Sequence, residues 1–161
     1  MVGILSMSLT TASGSMVGQN LGAKKYKRIS KILLCASGCT LIICAAYAIA
    51  LLLFPEFLVS LFTKDAVILA NASIIILPSI INAGGAVTRT FAFGIINGSG
   101  NSKLNLLVAI IDGMISRIAL AYLLGTKLGM GPQGFWLGDA IAGFVPFLIG
   151  GSYFISKKWQ D

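Results

Sequence analysis

The sequence predicts an all-α, polytopic membrane helix bundle of about five transmembrane helices, and three observations carry that prediction. Of its 161 residues, 57% are hydrophobic and 11% charged, where a soluble domain has about 45–50% and 25%. Runs free of Asp, Glu, Lys and Arg cover 1–23, 32–55 and 66–88, and within 104–156 only Asp112, Arg117, Lys127 and Asp139 interrupt. Such lengths suit a hydrocarbon core of about 30 Å, which roughly 20 helical residues cross. Glycine- and proline-rich turns then divide the apolar stretches into separate rods. The mean hydropathy of +0.92 excludes a disordered tail. With five acidic side chains in an apolar chain, the net charge of +7 does not describe a nucleic-acid-binding domain either.

Taken in order, the expected rods span about 2–18, 29–54, 66–97, 103–125 and 134–156. The first carries Ser6, Ser8, Thr10, Thr11, Ser13 and Ser15 and no basic stretch before them, so it reads as the end of a helix rather than a cleaved signal peptide. A basic loop, 19–31, follows it. The segment from Glu56 to Asp65 is expected on the membrane surface. The third rod is too long for a straight span, and Pro78 with Gly84 and Gly85 should bend or unwind it, which makes those three residues hinge candidates. Four glycines and Pro132 in the stretch from Gly125 to Gly134 separate the last two rods.

Small residues recur every fourth position and mark seams where helix backbones approach: Gly14, Gly18 and Gly22; Ala36, Thr40, Cys44 and Ala48; Gly94 and Gly98; Gly134 and Gly138. The same packing accounts for Cys35 and Cys39, one turn apart. With no histidine and three cysteines in one apolar run, neither a histidine-based triad nor a zinc cluster can be assembled, and no disulfide framework is expected. No nucleophile–base pair is visible, so the chain does not read as an enzyme, and no cofactor is expected. Gly98 to Lys103 lacks the strand and the GK[ST] ending of a phosphate-binding loop and reads as a tight cytoplasmic hairpin. The basic run from Lys24 to Lys31 reads as a topology determinant ahead of a lipid-headgroup site.

Orientation follows from the distribution of positive charge. Lys24, Lys25, Lys27, Arg28, Lys31, Lys103, Lys157 and Lys158 fall on one set of connections, and only Lys64 and Lys127 on the other. The first set is therefore expected inside, with the C-terminus cytoplasmic, in a bacterial cell membrane. The N-terminus then starts at the outer face, which leads to the expectation of a missing upstream half.

Arg89, Asp112, Arg117 and Asp139 lie within the hydrophobic layer, where an ionised group at a helix centre costs at least about 2.5–3.5 kcal/mol and needs a partner or water. Asp112 and Arg117, five residues apart and about 140° around an α-helix, should pair poorly with each other. Arg89 and Asp112 lie at matching depths, about 12–14 Å below the cytoplasmic turn. Arg117 and Asp139 are eight and five residues in from the outer turn. Two interhelical pairs are thus expected, Arg89 with Asp112 and Arg117 with Asp139. They act as structural glue, or Asp112 is a proton or cation site whose carboxylate changes partner.

The segment Gly18-Gln19-Asn20-Leu21-Gly22-Ala23, followed by Lys24, Lys25 and Arg28, resembles the multidrug and toxic compound extrusion (MATE) family. The stretch from Phe93 to Lys103 looks like that family's helix end and G-x-G turn, and Gly129 to Trp136 looks like the start of its final helix. Lys157-Lys158-Trp159 suits its cytoplasmic end. The resemblance covers nearly all of 1–161 and places these rods as the last five of twelve in a two-lobed transporter, a partial C-terminal lobe. It implies export of cationic amphipathic drugs in exchange for protons or sodium ions, by two lobes rocking around a central cavity. Membrane lipid, a coupling cation, a cationic small molecule and an N-terminal lobe are the implied partners. The third rod has no Asp or Glu where sodium-coupled members place one, so no sodium site is carried over. With one lobe the cavity has one wall, and the chain alone is expected to transport little. A lipid-linked oligosaccharide flippase is the competing transporter; its anionic cargo favours unpaired arginines, whereas Arg89 and Arg117 are expected to be balanced. A non-transporting scaffold or remnant is the other alternative.

Overall fold

The computed structural model describes residues 2–61, 63–65 and 72–160, and among these every regular element is helical. The helices are α1 (Val2–Gly22), α2 (Tyr26–Leu53), the short α3 (Pro55–Ser60), and α4 (Ile76–Gly98), which a 3-10 turn over Ala72–Ile75 leads into. The next rod, Ser102–Lys127, is α-helical over α5 (Ser102–Ile110) and α6 (Arg117–Tyr122) and opens into wider π-helical turns over Ile111–Ser116 and Leu123–Lys127. The last consists of α7 (Gly131–Ala142) and α8 (Val145–Ile155).

Four of these rods are long and apolar enough to cross a membrane: α2, α4, Ser102–Lys127 and Gly131–Ile155. Their outer faces show why lipid is the solvent. Leu34, Ile42 and Ile155 are 65%, 71% and 79% exposed, and Leu106, Ile110, Met114 and Ile118 form an outward apolar stripe. The fifth expected span differs. Its helix, α1, has the length but not the hydropathy, because of its serines and threonines. Their hydroxyls are nevertheless satisfied within the helix: Ser6 donates to the Gly3 carbonyl, Ser8 to Ile4, Thr10 to Ser6, Thr11 to Met7, Ser13 to Thr10 and Ser15 to Thr11. Such back-bonding removes most of the cost of bringing hydroxyls into an apolar bundle.

α1, α2 and the last rod dock on α4, and Ser102–Lys127 docks chiefly on α7. Against α1, a Cβ at Gly98 would lie 2.5 Å from Val17 Cβ and 2.8 Å from the Gly14 carbonyl, and one at Gly18 would reach the Gly98 carbonyl at 3.2 Å. Against α2, a Cβ on Gly94 would meet the Leu33 side chain at 2.9 Å. Gly150 of α8 abuts Ala92 in the same way, at 2.6 Å. Gly134 and Gly138 serve the contact with Leu124 and Ala121 on the preceding rod. Gly22, by contrast, faces open space and belongs to no seam. On α2, Thr40 and Cys44 are buried while Cys35 and Cys39 lie on the exposed surface.

The loop expected over 19–31 shrinks to three residues. α1 runs on through Gly22, and the turn closes with the Lys25 N–H donating to the Asn20 carbonyl at 2.8 Å and Lys24 in the left-handed region at φ 56°. The hairpin after α4 turns at Gly100, φ 71°, and Asn101 caps α5 by accepting from the Leu104 N–H at 3.0 Å. At the C-terminus the chain folds back. Trp159 is buried, stacked on Phe154 at 5.5 Å and edge-on to Tyr26 at 6.0 Å, with its indole N–H on the Phe154 carbonyl at 2.8 Å. Together with the Tyr153–Ser99 hydroxyl contact at 3.2 Å, this gathers the three basic connections at one end of the bundle.

Of the expected third span, 66–71 lies outside the described residues. The rest is a continuous helix. Pro78 sits in its first turn, where a missing N–H costs nothing, and Gly84 and Gly85 do not interrupt it. The interruption falls instead in the last span, at Gly143–Phe144 between α7 and α8. Pro146 deprives the Ala142 carbonyl of its α-helical donor there. Gly84 and Gly85 accommodate that break: a Cβ on Gly85 would stand 3.3 Å from the Gly143 backbone, and one on Gly84 3.3 Å from the Phe144 ring.

Because the α1–α4 seam leaves no room for a methyl group, Gly98→Ala is expected to destabilise the folded protein in detergent by about 1–3 kcal/mol. Gly38→Ala, at a helical position with nothing within 4 Å of the added carbon, is expected to be neutral or to stabilise by up to about 1 kcal/mol. Thermal unfolding of the two variants compares them directly.

Candidate functional site

A partly open cavity of about 930 Å³ is bounded by α1, the ends of α2 and α3, one face of α4, and α7. That volume lies within the range of drug-sized ligand sites, about 300–1,000 Å³. Its wall mixes apolar groups (Met7, Leu51, Val59, Phe93, Trp136) with hydroxyls and amides (Ser6, Thr10, Thr11, Tyr47, Ser79, Asn82, Asn97). Arg89 is the one formally charged residue among the described residues that line it.

α4 presents Ser79, Asn82, Ala83, Ala86, Arg89, Phe93 and Asn97 to the cavity along one helix face. The next face over holds Thr90, fully buried, whose hydroxyl meets Thr40 of α2 at 3.2 Å and lies 3.4 Å from the Thr10 hydroxyl of α1. Three helices are thus tied by hydroxyls directly beside Arg89. The distance between these threonines in sequence hid that cluster.

The intramembrane charges form one network rather than two separate pairs. Arg89 Nε and Asp112 Oδ2 are 3.7 Å apart, Arg117 Nη2 lies 3.7 Å from the same oxygen, and Arg117 Nη1 donates to Asp139 Oδ1 in a close ion pair. Arg89 with Asp112 and Arg117 with Asp139 are therefore together, as depth matching led one to expect. The expectation that Asp112 and Arg117 avoid each other fails for a local reason. Asp112 lies within the π-helical turn Ile111–Ser116 and Arg117 directly follows it, and the i→i+5 bonding there brings residue i+5 back over residue i. The α-helical angle of about 140° does not apply there.

The network is unequal in quality. Asp112 is buried, and its Oδ1 has no hydrogen-bond partner; Arg89 Nε and Nη2 are likewise enclosed without an acceptor. Asp139 is 45% exposed at its side chain. The Arg89 guanidinium rests against the α7–α8 break: a Cβ on Gly143 would lie 3.0 Å from Arg89 Cζ. Only glycine leaves this space. Sequence reading did not single out Gly143 or Pro146, although a Gly-x-x-Pro step inside an apolar span is the signal for such a break. Gly18, Gln19, Asn20 and Gly22 lie in the C-terminal part of α1, ahead of the tight turn, and do not line the cavity.

A bundle of helices long and apolar enough to cross a membrane, with a polar-lined cavity and buried charges facing inward, defines a polytopic membrane protein. The family model MatE matches residues 1–123, and the chain belongs to that family of multidrug and toxic compound extrusion transporters. It is 28% identical over 138 residues to the "Uncharacterized transporter YisQ" of Bacillus subtilis (strain 168), covering 83% of this chain and 30% of that protein. It is 26% identical over 154 residues to the "Probable multidrug resistance protein NorM" of Bacillus cereus, covering 96% of this chain and 33% of the relative. A protein of the same name in Bacillus anthracis is 24% identical over 154 residues, with the same coverage. The chain spans about a third of the length of the curated relatives it matches. No solved structure gives a significant match.

Breaking the network on one side should cost far more than replacing a balanced pair. Asp112→Ala, which strands two arginines on one carboxylate, is expected to destabilise by about 3–5 kcal/mol, whereas Arg89→Met/Asp112→Leu recovers most of that loss. Unfolding of the two variants in the same detergent, followed by circular dichroism, gives the comparison.

Proposed function

We propose that this chain forms one wall of a MATE-type antiporter, the C-terminal lobe of a two-lobed, twelve-helix carrier that exports cationic amphipathic drugs in exchange for protons or sodium ions. The observation that supports this reading best is the cavity of about 930 Å³. It is too polar for lipid tails alone, large enough for a drug-sized molecule, and walled by one lobe. The second lobe closes it, so the chain by itself transports little. Flexing at Gly143–Phe144, with Gly84 and Gly85 as the smooth surface it moves against, lets the wall tilt without unwinding α4. The basic end of the bundle lies in the cytoplasm, with the C-terminus inside.

Coupling falls to Asp112, the buried carboxylate of the network. Its Oδ2 is shared between two arginines and its Oδ1 is free of hydrogen bonds, so a proton or cation arriving there redistributes the arginines.

Drug tolerance and efflux in a host expressing the chain, alone and with an N-terminal lobe supplied separately, test the proposal. Efflux that requires both pieces and stops when the ion gradient is collapsed is the expected result. Stable insertion without efflux under either condition replaces it with a scaffold. The pH profile of efflux is expected to flatten in Asp112→Asn, and an unchanged profile removes Asp112 from coupling. For orientation, single cysteines at Ser102 and Ser156 in a cysteine-free background are expected to react from the cytoplasmic side and one at Thr126 from outside.

A further inference from the structure

We infer that the basic end of the bundle is a docking surface for anionic phospholipid headgroups, assembled by the fold-back of the C-terminal segment. The inference goes beyond the transport reading and does not depend on what the cavity carries.

Taken alone, the basic run over 24–31 is a topology signal, which needs positive charge on the right connections and nothing more. The fold adds to it. Eight of the chain's 12 Lys and Arg residues belong to this end, five of them between Lys24 and Lys31, with Lys103 after the α4–α5 turn and Lys157 and Lys158 after α8. All eight are exposed, and among the described residues none of them is ion-paired. The described acidic residues belong elsewhere: Asp112 and Asp139 to the intramembrane network, Glu56 and Asp65 to the connection beyond the other end of α2. Asp161 lies outside the described residues.

The segment carrying Lys157 and Lys158 is pinned against the start of α2, which carries Lys25, Lys27 and Arg28. Its anchor is Trp159, 5% exposed and packed into the same apolar core as Val17, Ile29 and Ile96. That indole stacks on Phe154 and meets Tyr26 edge-on. Lys157 takes the left-handed conformation, and its carbonyl accepts from the Gln160 N–H at 3.0 Å, which closes the turn. Gathering like charges on a fixed frame costs free energy that an anionic surface recovers. The apolar side chains next to these charges decide what kind of anion it is. Leu34, Leu106 and Ile155 are exposed within three residues of Lys31, Lys103 and Lys157, respectively. A molecule with a phosphate above acyl chains satisfies both surfaces, and a soluble anion only one.

The full chain in detergent, mixed with equal amounts of phosphatidylglycerol and phosphatidylcholine of the same acyl chains, provides the test, with retained lipids counted by native mass spectrometry. Phosphatidylglycerol is expected to be retained over phosphatidylcholine by about tenfold or more, and Lys27→Gln/Arg28→Gln/Lys157→Gln/Lys158→Gln to bring the two within about twofold. Raising the salt from about 0.1 M to about 1 M, which shortens the screening length from about 10 Å to 3 Å, is expected to erode the preference. Lys64→Gln/Lys127→Gln, at the opposite end, is expected to leave it unchanged. Trp159→Ala removes no charge but frees the segment, and is expected to lower the preference by about threefold or more. Should Trp159→Ala fail to fold, Lys157→Gln/Lys158→Gln is expected to lose as much preference as Lys27→Gln/Arg28→Gln. Inorganic phosphate at the lipid's own concentration is expected to displace nothing. Equal retention of the two lipids by the parent, a preference that survives the fourfold variant, or equal loss in Lys64→Gln/Lys127→Gln overturns the inference. Displacement by inorganic phosphate also overturns it, since the occupant is then a free anion. A preference intact in folded Trp159→Ala, or untouched by Lys157→Gln/Lys158→Gln, reduces this end to its topology signal and overturns the assembled surface. Efflux plays no part in the measurement, so neither outcome bears on the transport reading.

Discussion

Lipid gives helices no hydrophobic reason to associate, so a bundle in hydrocarbon rests on how closely its backbones approach. Here that approach converges on α4. Gly98 and Gly94 admit α1 and α2, Ala92 receives Gly150 of α8, and Gly85 lies against the backbone at Gly143. Each face of α4 not used for docking then becomes available to the cavity, which is why Asn82, Arg89, Phe93 and Asn97 share one side of the helix. The position of the candidate site is thus a by-product of where the small residues are.

The second constraint is the accounting of polar groups. Hydroxyls on α1 satisfy themselves by bonding back along their own helix, and the Thr10–Thr90–Thr40 cluster joins three helices at little electrostatic cost. The charges are treated differently. Arg117 and Asp139 are well paired toward the turn that precedes α7, whereas Arg89 and Asp112 neutralise one another at long range and retain unfilled hydrogen-bonding capacity. Strong pairing at the rim and loose pairing at depth is the pattern of a fixed strut beside an adjustable one.

Fold class, helix order and the placement of four spans were legible in the sequence, since hydropathy and turn chemistry act locally. So was the meeting of Arg89 with Asp112, because depth along a helix can be counted from a turn. What could not be read depends on departures from the regular α-helix. The pairing of Asp112 with Arg117 needs the wide turn over Ile111–Ser116, and no residue in that stretch announces it. Pro78 looked like a kink until α4 proved to begin at Ile76, which makes proline a helix starter. The true break, at Gly143–Phe144, lay inside a span whose hydropathy looked unbroken. The cavity wall is assembled from α1, α2, α3, α4 and α7 and has no contiguous signature in the sequence.

The wide turns in Ser102–Lys127 also bear on how this protein is compared with others. A turn closed by i→i+5 bonds holds one residue more than the α-helical turn it replaces, and two such turns occur in that rod. Aligning it without gaps to a homologue whose corresponding helix is uninterrupted rotates every residue downstream by about 100° per turn. Lipid-facing side chains would then be matched to inward-facing ones. Single-residue gaps near 111–116 and 123–127 restore the correspondence, and substitutions on this span transfer between family members only after that shift is made.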